Sequence, residues 1–272
     1  MATLKNTTIN DTGFFGLPVG TTAQRPVSPA NGYMRLNTTS SYIEVYYNGY
    51  WINTNSVGAG IITNNLLLYY DYGNASCYPG TGTTVTDLSG NGNTGTMAAG
   101  VSYSSSNGGI MTMNGSGAIT TNYKVPGTAR SHFYWVKYAS LNNGSGYQLS
   151  GTQEGGAYTY IGIQNGGQVY FYIGSNIGAA IATTVATNTW YQLGQVINAS
   201  GTVTIYVNGV SVYTTSGSLG GAATSSNFQI GSINNNYYLN GGSMGLITLY
   251  GTDLSAAQVT QNYDATKARY GY

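Results

Sequence analysis

Val203-Thr-Ile-Tyr-Val-Asn-Gly-Val-Ser-Val-Tyr213 decides the fold class. Apolar and polar residues alternate on both sides of Asn208-Gly209. An Asn-Gly pair suits a two-residue type I′ turn, because both central positions need positive φ. A two-residue loop then places Val203, Ile205, Val207, Val210 and Val212 on one face. Thr204, Tyr206, Ser211 and Tyr213 fall on the other. A slip of one residue would exchange the two faces, so pattern and turn specify one register. The stretch reads as a half-buried antiparallel hairpin.

Two more hairpins follow from the same logic. Between Tyr158 and Ile173 the chain turns at Asn165-Gly166-Gly167. A two-residue loop would set Ile161 opposite Tyr170 and mix the faces. A three-residue loop pairs Ile163 with Val169, Ile161 with Phe171 and Tyr160 with Tyr172, with a glycine in the left-handed region. Its non-core face then shows Tyr158, Tyr160, Tyr170 and Tyr172, with Gly162 opposite Tyr170. Tyr42 to Asn53 turns at Asn48-Gly49 and pairs Val45 with Ile52, Tyr46 with Trp51 and Tyr47 with Tyr50. One face carries Ile43, Val45, Tyr47, Tyr50 and Ile52, and the other carries Tyr42, Glu44, Tyr46 and Trp51. About 40 residues cannot bury two such faces alone. Tyr42, Tyr46 and Trp51 are therefore expected to pack against neighbouring chains.

Composition supports an all-β reading. The chain has 272 residues, with 41 Gly and 27 Tyr but only 5 Pro. Aromatics at 13% argue against disorder, and Thr, Val, Ile and Tyr favour strands. Charged residues are 6%, against about 25% in an ordinary soluble domain. A net charge of +1 gives no electrostatic footprint for nucleic acid or an anionic membrane surface. One Cys excludes an internal disulfide framework, and one His excludes a multi-histidine metal site within one chain. No apolar run reaches the roughly 18 residues of a membrane helix, so no membrane insertion is expected. The first residues lack the apolar core of a signal peptide.

Along the chain, residues 1–15 read as a polar arm and 16–55 as a small β-hairpin module for anchoring and oligomerisation. Residues 56–62 read as a linker, and 63–272 as one sandwich domain. One short helix is expected near the end. Ser255-Ala-Ala-Gln258 is a capping box, Leu254 and Val259 can staple it, and Gly271 can stop it.

Three stretches of the larger domain resemble the concanavalin A-like, laminin G-type lectin/glucanase superfamily. They are Leu66–Asp71 with Tyr78–Met97, Thr189–Leu193 leading to Tyr206–Val210, and Phe228–Ser232 through Leu249-Tyr250 to Asp253–Gly271. Trp135 in Phe133-Tyr-Trp-Val-Lys137 looks like the family's central-strand tryptophan. The resemblance implies a two-sheet antiparallel jelly-roll sandwich of about a dozen strands. The smaller segment has a separate resemblance. Leu17–Pro26, Asn31–Thr38 and Tyr47–Trp51 look like a module of tailed-phage fibre and decoration proteins.

Glycoside hydrolases of that superfamily imply closely spaced carboxylates on one strand, and a retaining pair stands about 5 Å apart. The larger domain has one Glu, Glu154, and none of Asp71, Asp87, Asp253 and Asp264 lies within two residues of another acid. No catalytic residue is assigned. His132 with Ser131 and Cys77 has no flanking motif for nucleophilic chemistry. Calcium is the one metal to consider. Asp87, Asn91 and Asn93 offer three side-chain oxygens in a Gly-rich loop, although Asn-Gly also simply makes turns. Tyr158, Tyr160, Tyr170 and Tyr172 form a candidate glycan platform, but burial or a protein interface is the favoured reading of that face, since amphipathic tyrosine is what interfaces use.

These readings lead to a non-enzymatic virion structural protein at the virion surface, a capsid decoration or short fibre. Its N-terminal module would join other virion proteins and form a homotrimer, and the jelly-roll would project outward. The alternative is a receptor-recognition protein that binds host surface glycans, and a glycanase ranks below both. No cofactor is called for, with calcium the sole candidate, and no nucleic acid is expected as partner.

Overall fold

The structure is a computed structural model that describes residues 16–272, apart from 40–41, 48–49, 54–59, 143, 153, 155–157, 175–176 and 218. The expected N-terminal arm, the Asn48-Gly49 turn and most of the linker lie outside the described residues. The chain divides into two compact units, Met1–Gly60 and Ile61–Tyr272.

The first unit is a four-stranded sheet of β1 (Val19–Gly20), β2 (Met34–Asn37), β3 (Tyr42–Tyr47) and β4 (Tyr50–Asn53), in that order. β3 and β4 pair Val45 with Ile52, Tyr46 with Trp51 and Tyr47 with Tyr50. This is the register that a two-residue turn requires. The sheet's centre is ionic. Arg25 forks onto the Glu44 carboxylate, with Nη2 at 2.6 Å from Oε2 and Nε at 3.2 Å. Asn37 Nδ2 donates to the same oxygen at 3.0 Å, and Arg35 Nε stands 3.4 Å from Oε1. Glu44, Arg35 and Asn37 are all buried. Burial raises the Glu44 pKa, but the Arg25 and Asn37 hydrogen bonds and the two guanidinium charges outweigh it, and the net shift is downward. Segment 17–25 thus covers part of the face that carries Tyr46 and Trp51, which the sequence reading left to neighbouring chains. The opposite face leaves Val19, Met34 and Ile43 exposed.

The second unit is an antiparallel sandwich. Its strands run β5 (Leu66–Tyr70), β6 (Thr84–Val85), β7 (Gly95–Met97), β8 (Val101–Ser104), β9 (Ile110–Asn114), β10 (Ile119–Thr121), β11 (Arg130–Lys137) and β12 (Tyr147–Thr152). They continue with β13 (Thr159–Gln164), β14 (Gln168–Ile173), β15 (Ile177–Thr184), β16 (Trp190–Ile197), β17 (Val203–Val207), β18 (Val210–Thr215), β19 (Gln229–Ile230) and β20 (Asn240–Tyr250). A single α-helix, α1 (Ala256–Thr266), follows among the described residues. The back sheet has the order β18-β17-β16-β11-β20-β9-β8, with β5 also on β20. The front sheet has the order β15-β14-β13-β12-β19-β10-β7-β6. The fold is an all-β jelly-roll sandwich.

The hairpin registers follow from turn chemistry. β13 and β14 pair Ile163 with Val169, Ile161 with Phe171, Tyr160 with Tyr172 and Gly162 with Tyr170, across the three-residue loop. Gly166 and Gly167 both take positive φ there. β17 and β18 turn at Asn208 and Gly209, with φ of 52° and 75°. Val207 pairs with Val210 and Tyr206 with Ser211, then a bulge shifts Ile205 onto Tyr213. The bulge corrects the expected faces in part: Tyr213 remains exposed but sets its ring 5.7 Å from Phe171, Val210 is exposed, and Val212 packs against the core as expected.

Between the sheets lie Tyr134, Val136, Leu193 and Ile247 from the back and Ile161, Ile163, Val169, Phe171 and Ile230 from the front. The back sheet's outer face is covered within the chain. Trp135, on central strand β11, stacks on Tyr270 at 4.3 Å and on Tyr263 at 5.6 Å. Its indole Nε1 donates to Thr266 Oγ1 at 2.9 Å. The helix holding this cover starts at the capping box: Ser255 Oγ accepts from the Gln258 amide, and Gln258 Oε1 accepts from the Ser255 amide. Leu254 and Val259 bury together beside Phe133 and Tyr206. Gly271, with φ of 91°, ends the following 3-10 turn.

Candidate functional site

The two outer faces of the sandwich differ. One lies under α1; the other displays tyrosine. On the front sheet, period-two alternation sends Ile161, Ile163, Val169 and Phe171 inward, so Tyr160, Tyr170 and Tyr172 point outward. Tyr160 sits at the centre, with its ring stacked 5.4 Å from Tyr172 and 6.4 Å from Tyr170. Tyr158 lies 5.4 Å from Tyr172. The structure brings together all four tyrosines of the sequence-derived platform.

Sequence reasoning missed two members. Tyr147 on β12 lies 4.8 Å from Tyr170, and Tyr237 meets Tyr147 edge-on at 5.7 Å. Tyr147 arrives because β12 pairs it with Gln164, beside the hairpin. Tyr237 arrives from a turn after β19. Leu149 and Ile233 are the aliphatic floor beneath. Tyr160 is buried, while Tyr147, Tyr158, Tyr170, Tyr172 and Tyr237 are partly exposed. Small residues stand beside the rings: Gly162 lies opposite Tyr170, Ala180 opposite Tyr170 on its other side and Gly178 opposite Tyr172. The Tyr172 ring covers Gly178 so closely that a Cβ there would stand 2.0 Å from Cδ2. Burial, reinforced by neighbouring tyrosines, raises the Tyr160 and Tyr170 hydroxyl pKa values. Both hydroxyls stay neutral hydrogen-bond donors at physiological pH.

Tyr237 is held in an unusual conformation. Its φ is 54°, and Asn234 and Asn235 take 47° and 55°. A left-handed aromatic residue is uncommon and costs on the order of 1 kcal/mol or more. The turn is fixed by reciprocal bonds between the Gln229 and Asn235 amides at 2.7 and 2.9 Å. The Tyr237 carbonyl accepts from the Leu149 amide at 3.0 Å, which ties the turn to β12. Beside it opens a cavity of about 360 Å³ lined by Gly144, Ser145, Asn236, Tyr237, Tyr238 and Asn240.

The Asp87 loop is a clasp. Asp87 is buried, and Oδ1 accepts from the Tyr69 and Ser89 amides at 2.9 Å. Oδ2 accepts from Ser89 Oγ at 2.7 Å and from the Asn93 amide at 3.0 Å. The Asn91 and Asn93 side-chain amides donate to the Leu66 and Leu67 carbonyls. A cation there would have to displace four donors from one carboxylate. Among the described residues, no three His, Cys, Asp or Glu side chains cluster as metal ligands would.

The other polar candidates hold structure too. Glu154 accepts from Thr224 Oγ1 at 2.9 Å, from the Ser225 amide at 2.9 Å and from the Ser226 amide at 2.7 Å. Those backbone donors hold its carboxyl down at about 2. Ser131 and His132 are neighbours on β11 and face opposite ways. Ser131 Oγ bonds Thr252 and Leu254, while His132 is fully buried near Tyr123 and Gln195. Burial, with the Arg130 charge, pushes the His132 pKa well down. Burial likewise pushes the Cys77 thiol up to about 12, which suits an inert core residue. In the first unit, Tyr46 and Trp51 pack on each other at 5.4 Å, and the Arg25 guanidinium lies 5.8 Å from the Trp51 ring. The Tyr42 side chain lies outside the described residues.

A two-sheet antiparallel jelly roll with its helix on the back sheet and an aromatic outer face on the front is lectin-like architecture. Residues 112–260 match the Concanavalin A-like lectin/glucanases superfamily, and the chain belongs to it. No curated protein matches the sequence. Solved structures share the fold at low identity. The Trypanosoma rangeli sialidase in complex with sialic acid has a TM-score of 0.61 at 11% identity, covering 89% of this chain and 45% of that one. The receptor binding domain of botulinum neurotoxin D has a TM-score of 0.57 at 14% identity, covering 74% and 53%. Domain 4 of a GH43 extracellular arabinanase from Geobacillus stearothermophilus, in complex with arabinotriose, has a TM-score of 0.54 at 20% identity, covering 73% and 98%. The chain thus spans about half of the first two and nearly all of the third.

Proposed function

We propose that this chain is a non-enzymatic, glycan-binding surface protein that recognises carbohydrate on the outer face of its front sheet. The observation that carries the reading is the six-tyrosine cluster. Flat aromatic rings beside glycines can stack on the apolar faces of sugar rings, while tyrosine hydroxyls and nearby amides bond the sugar hydroxyls. Domain 4 of the arabinanase, which shares the fold and was solved in complex with arabinotriose, adds to it. Against catalysis stand the roles of the acids: Asp87 and Glu154 clasp loops, Asp71 pairs with Arg269, and Asp264 pairs with Lys267.

The test is a glycan array, repeated with a chelator. Binding that is lost in Tyr170→Ala with folding intact supports the reading. Absence of binding to every glycan sinks it, and sugar release that stops in Glu154→Gln would replace it with a glycanase.

For the N-terminal unit, the proposal is attachment to a larger particle, at the surface of a virion, as a homotrimer. Exposed Val19, Val27, Tyr33, Met34 and Ile43 support it, as does an apolar cavity of about 630 Å³ between Leu17, Pro18, Met34 and Trp51. A monomer by light scattering at micromolar concentration would refute the trimer. Particles that incorporate a chain lacking residues 1–55 would refute the attachment.

A further inference from the structure

The front sheet is almost without charge. Between Lys137 and Asp253 the sequence contains one charged residue, Glu154. Strands β12 to β15, with all their loops and the Tyr237 turn, fall inside that stretch. The residues that flank the tyrosines are Gln164, Gln168, Gly162, Gly178 and Ala180, and the two glutamines bond each other at 2.6 Å. Glu154 holds the 224–226 loop, and the Lys124 ammonium bonds the Ser225 carbonyl of that same loop. The two opposite charges therefore offset each other beyond the strand ends. The Tyr160 and Tyr170 hydroxyls are neutral, and ring faces carry negative quadrupole density.

We infer that the face selects uncharged glycans, and that the polar cavity beside Tyr237 is the subsite that orients them. This inference rests on the glycan-binding reading and names its ligand class. A carboxylated or sulfated sugar laid on this surface would lose water and gain no cation, which is costly without a partner. A neutral sugar loses only hydroxyl hydration, which tyrosine hydroxyls and amides can replace. The cavity suits that role. Its volume of about 360 Å³ lies in the lower part of the ligand-pocket range, and its walls are amide, hydroxyl and glycine. Strained Tyr237 lines it, and strain of this kind concentrates at ligand clamps. A chain crossing the tyrosines would end at Asn236, Tyr238 and Asn240, whose amides and hydroxyl can distinguish sugar orientations.

The experiment uses the full chain and matched polysaccharides with one backbone: polygalacturonic acid and its carboxyl-reduced galactan, alongside neutral and acidic members of an array. Calorimetry is run in low and high salt. Expected is binding to the neutral form tighter than to the acidic form, on the order of tenfold or more. The neutral affinity should not change with salt, and Asn240→Ala should weaken it without changing the unfolding midpoint. Equal or tighter binding of acidic glycans overturns the inference while leaving the glycan-binding reading intact. Binding that persists unchanged in Asn240→Ala and Tyr237→Ala removes the subsite. No binding to either class overturns both.

Discussion

Substituting Gly178 by alanine probes the tyrosine face with a single methyl group. Gly178 lies on edge strand β15, directly beneath Tyr172. The added Cβ would stand 2.0 Å from Cδ2 and 2.6 Å from Cε2 of that ring. Carbon atoms rest at about 3.5–4.0 Å, so the ring must move by about 1.5–2 Å. That shift breaks the stacked contact with Tyr160, whose centroid is 5.4 Å away. Overpacking a core costs about 1–3 kcal/mol. Tyr172 is half-buried and can swing outward, so the lower figure of about 1 kcal/mol applies. For a domain of this size the melting temperature then falls by roughly 2–4 °C. An aromatic pair contributes about 0.5–1.5 kcal/mol, so a displaced ring should weaken polysaccharide binding by a factor of about 2 to 10. Urea unfolding and calorimetric titration with a neutral polysaccharide measure the two effects. Gly221→Ala, where a Cβ meets nothing within 4 Å, is the control. Lost stability with unchanged affinity would make Tyr172 packing alone, and would refute the reasoning.

Three further outcomes are expected. Trp135→Ala removes the ring that stacks Tyr263 and Tyr270 and bonds Thr266, so the domain should lose about 3–5 kcal/mol in urea unfolding; a loss under 1 kcal/mol would contradict the clamp. The Glu154 pKa is lowered to about 2, so its tether on the Ser225 and Ser226 amides is complete above the usual carboxylate range and fades as pH falls from there through about 2. Amide exchange should show that loss of protection, and Glu154→Gln should show it already at neutral pH. Glu44→Gln leaves the buried Arg35 guanidinium without its counter-charge and should destabilise the N-terminal unit by about 3–5 kcal/mol, measured by limited proteolysis of that unit.

The sequence made the local geometry legible and the long-range geometry mostly not. Asn208-Gly209 and Asn165–Gly167 require positive φ, and alternation then has one consistent register, so Tyr160 against Tyr172 could be read directly. Ser255 and Gln258 announced the helix for the same local reason. The bulge that turns Tyr213 toward Phe171 leaves no such mark, because alternation continues through it. Glu44 read as one polar residue on an aromatic face; its partner Arg25 lies 19 residues away. Tyr147 joins the platform only through strand pairing, and Tyr237 only through a turn that crosses to β12. The Asn234-Asn235-Asn236 run is the one sequence signal for that turn, since asparagine tolerates left-handed backbone. The Asp87 loop shows the converse. Three oxygens close in sequence suggested a cation, and the structure gives that carboxylate to four hydrogen-bond donors.

The central claim is that the outer face of the front sheet binds carbohydrate. Titrating ring-labelled tyrosine protein with a neutral polysaccharide, followed by NMR, tests it most directly. Shifts confined to Tyr147, Tyr158, Tyr160, Tyr170, Tyr172 and Tyr237 are predicted, with Tyr263, Tyr270 and Tyr272, which cover the back sheet, unmoved. Saturable shifts on the tyrosines that cover the back sheet, or none anywhere across a glycan panel, would contradict the claim.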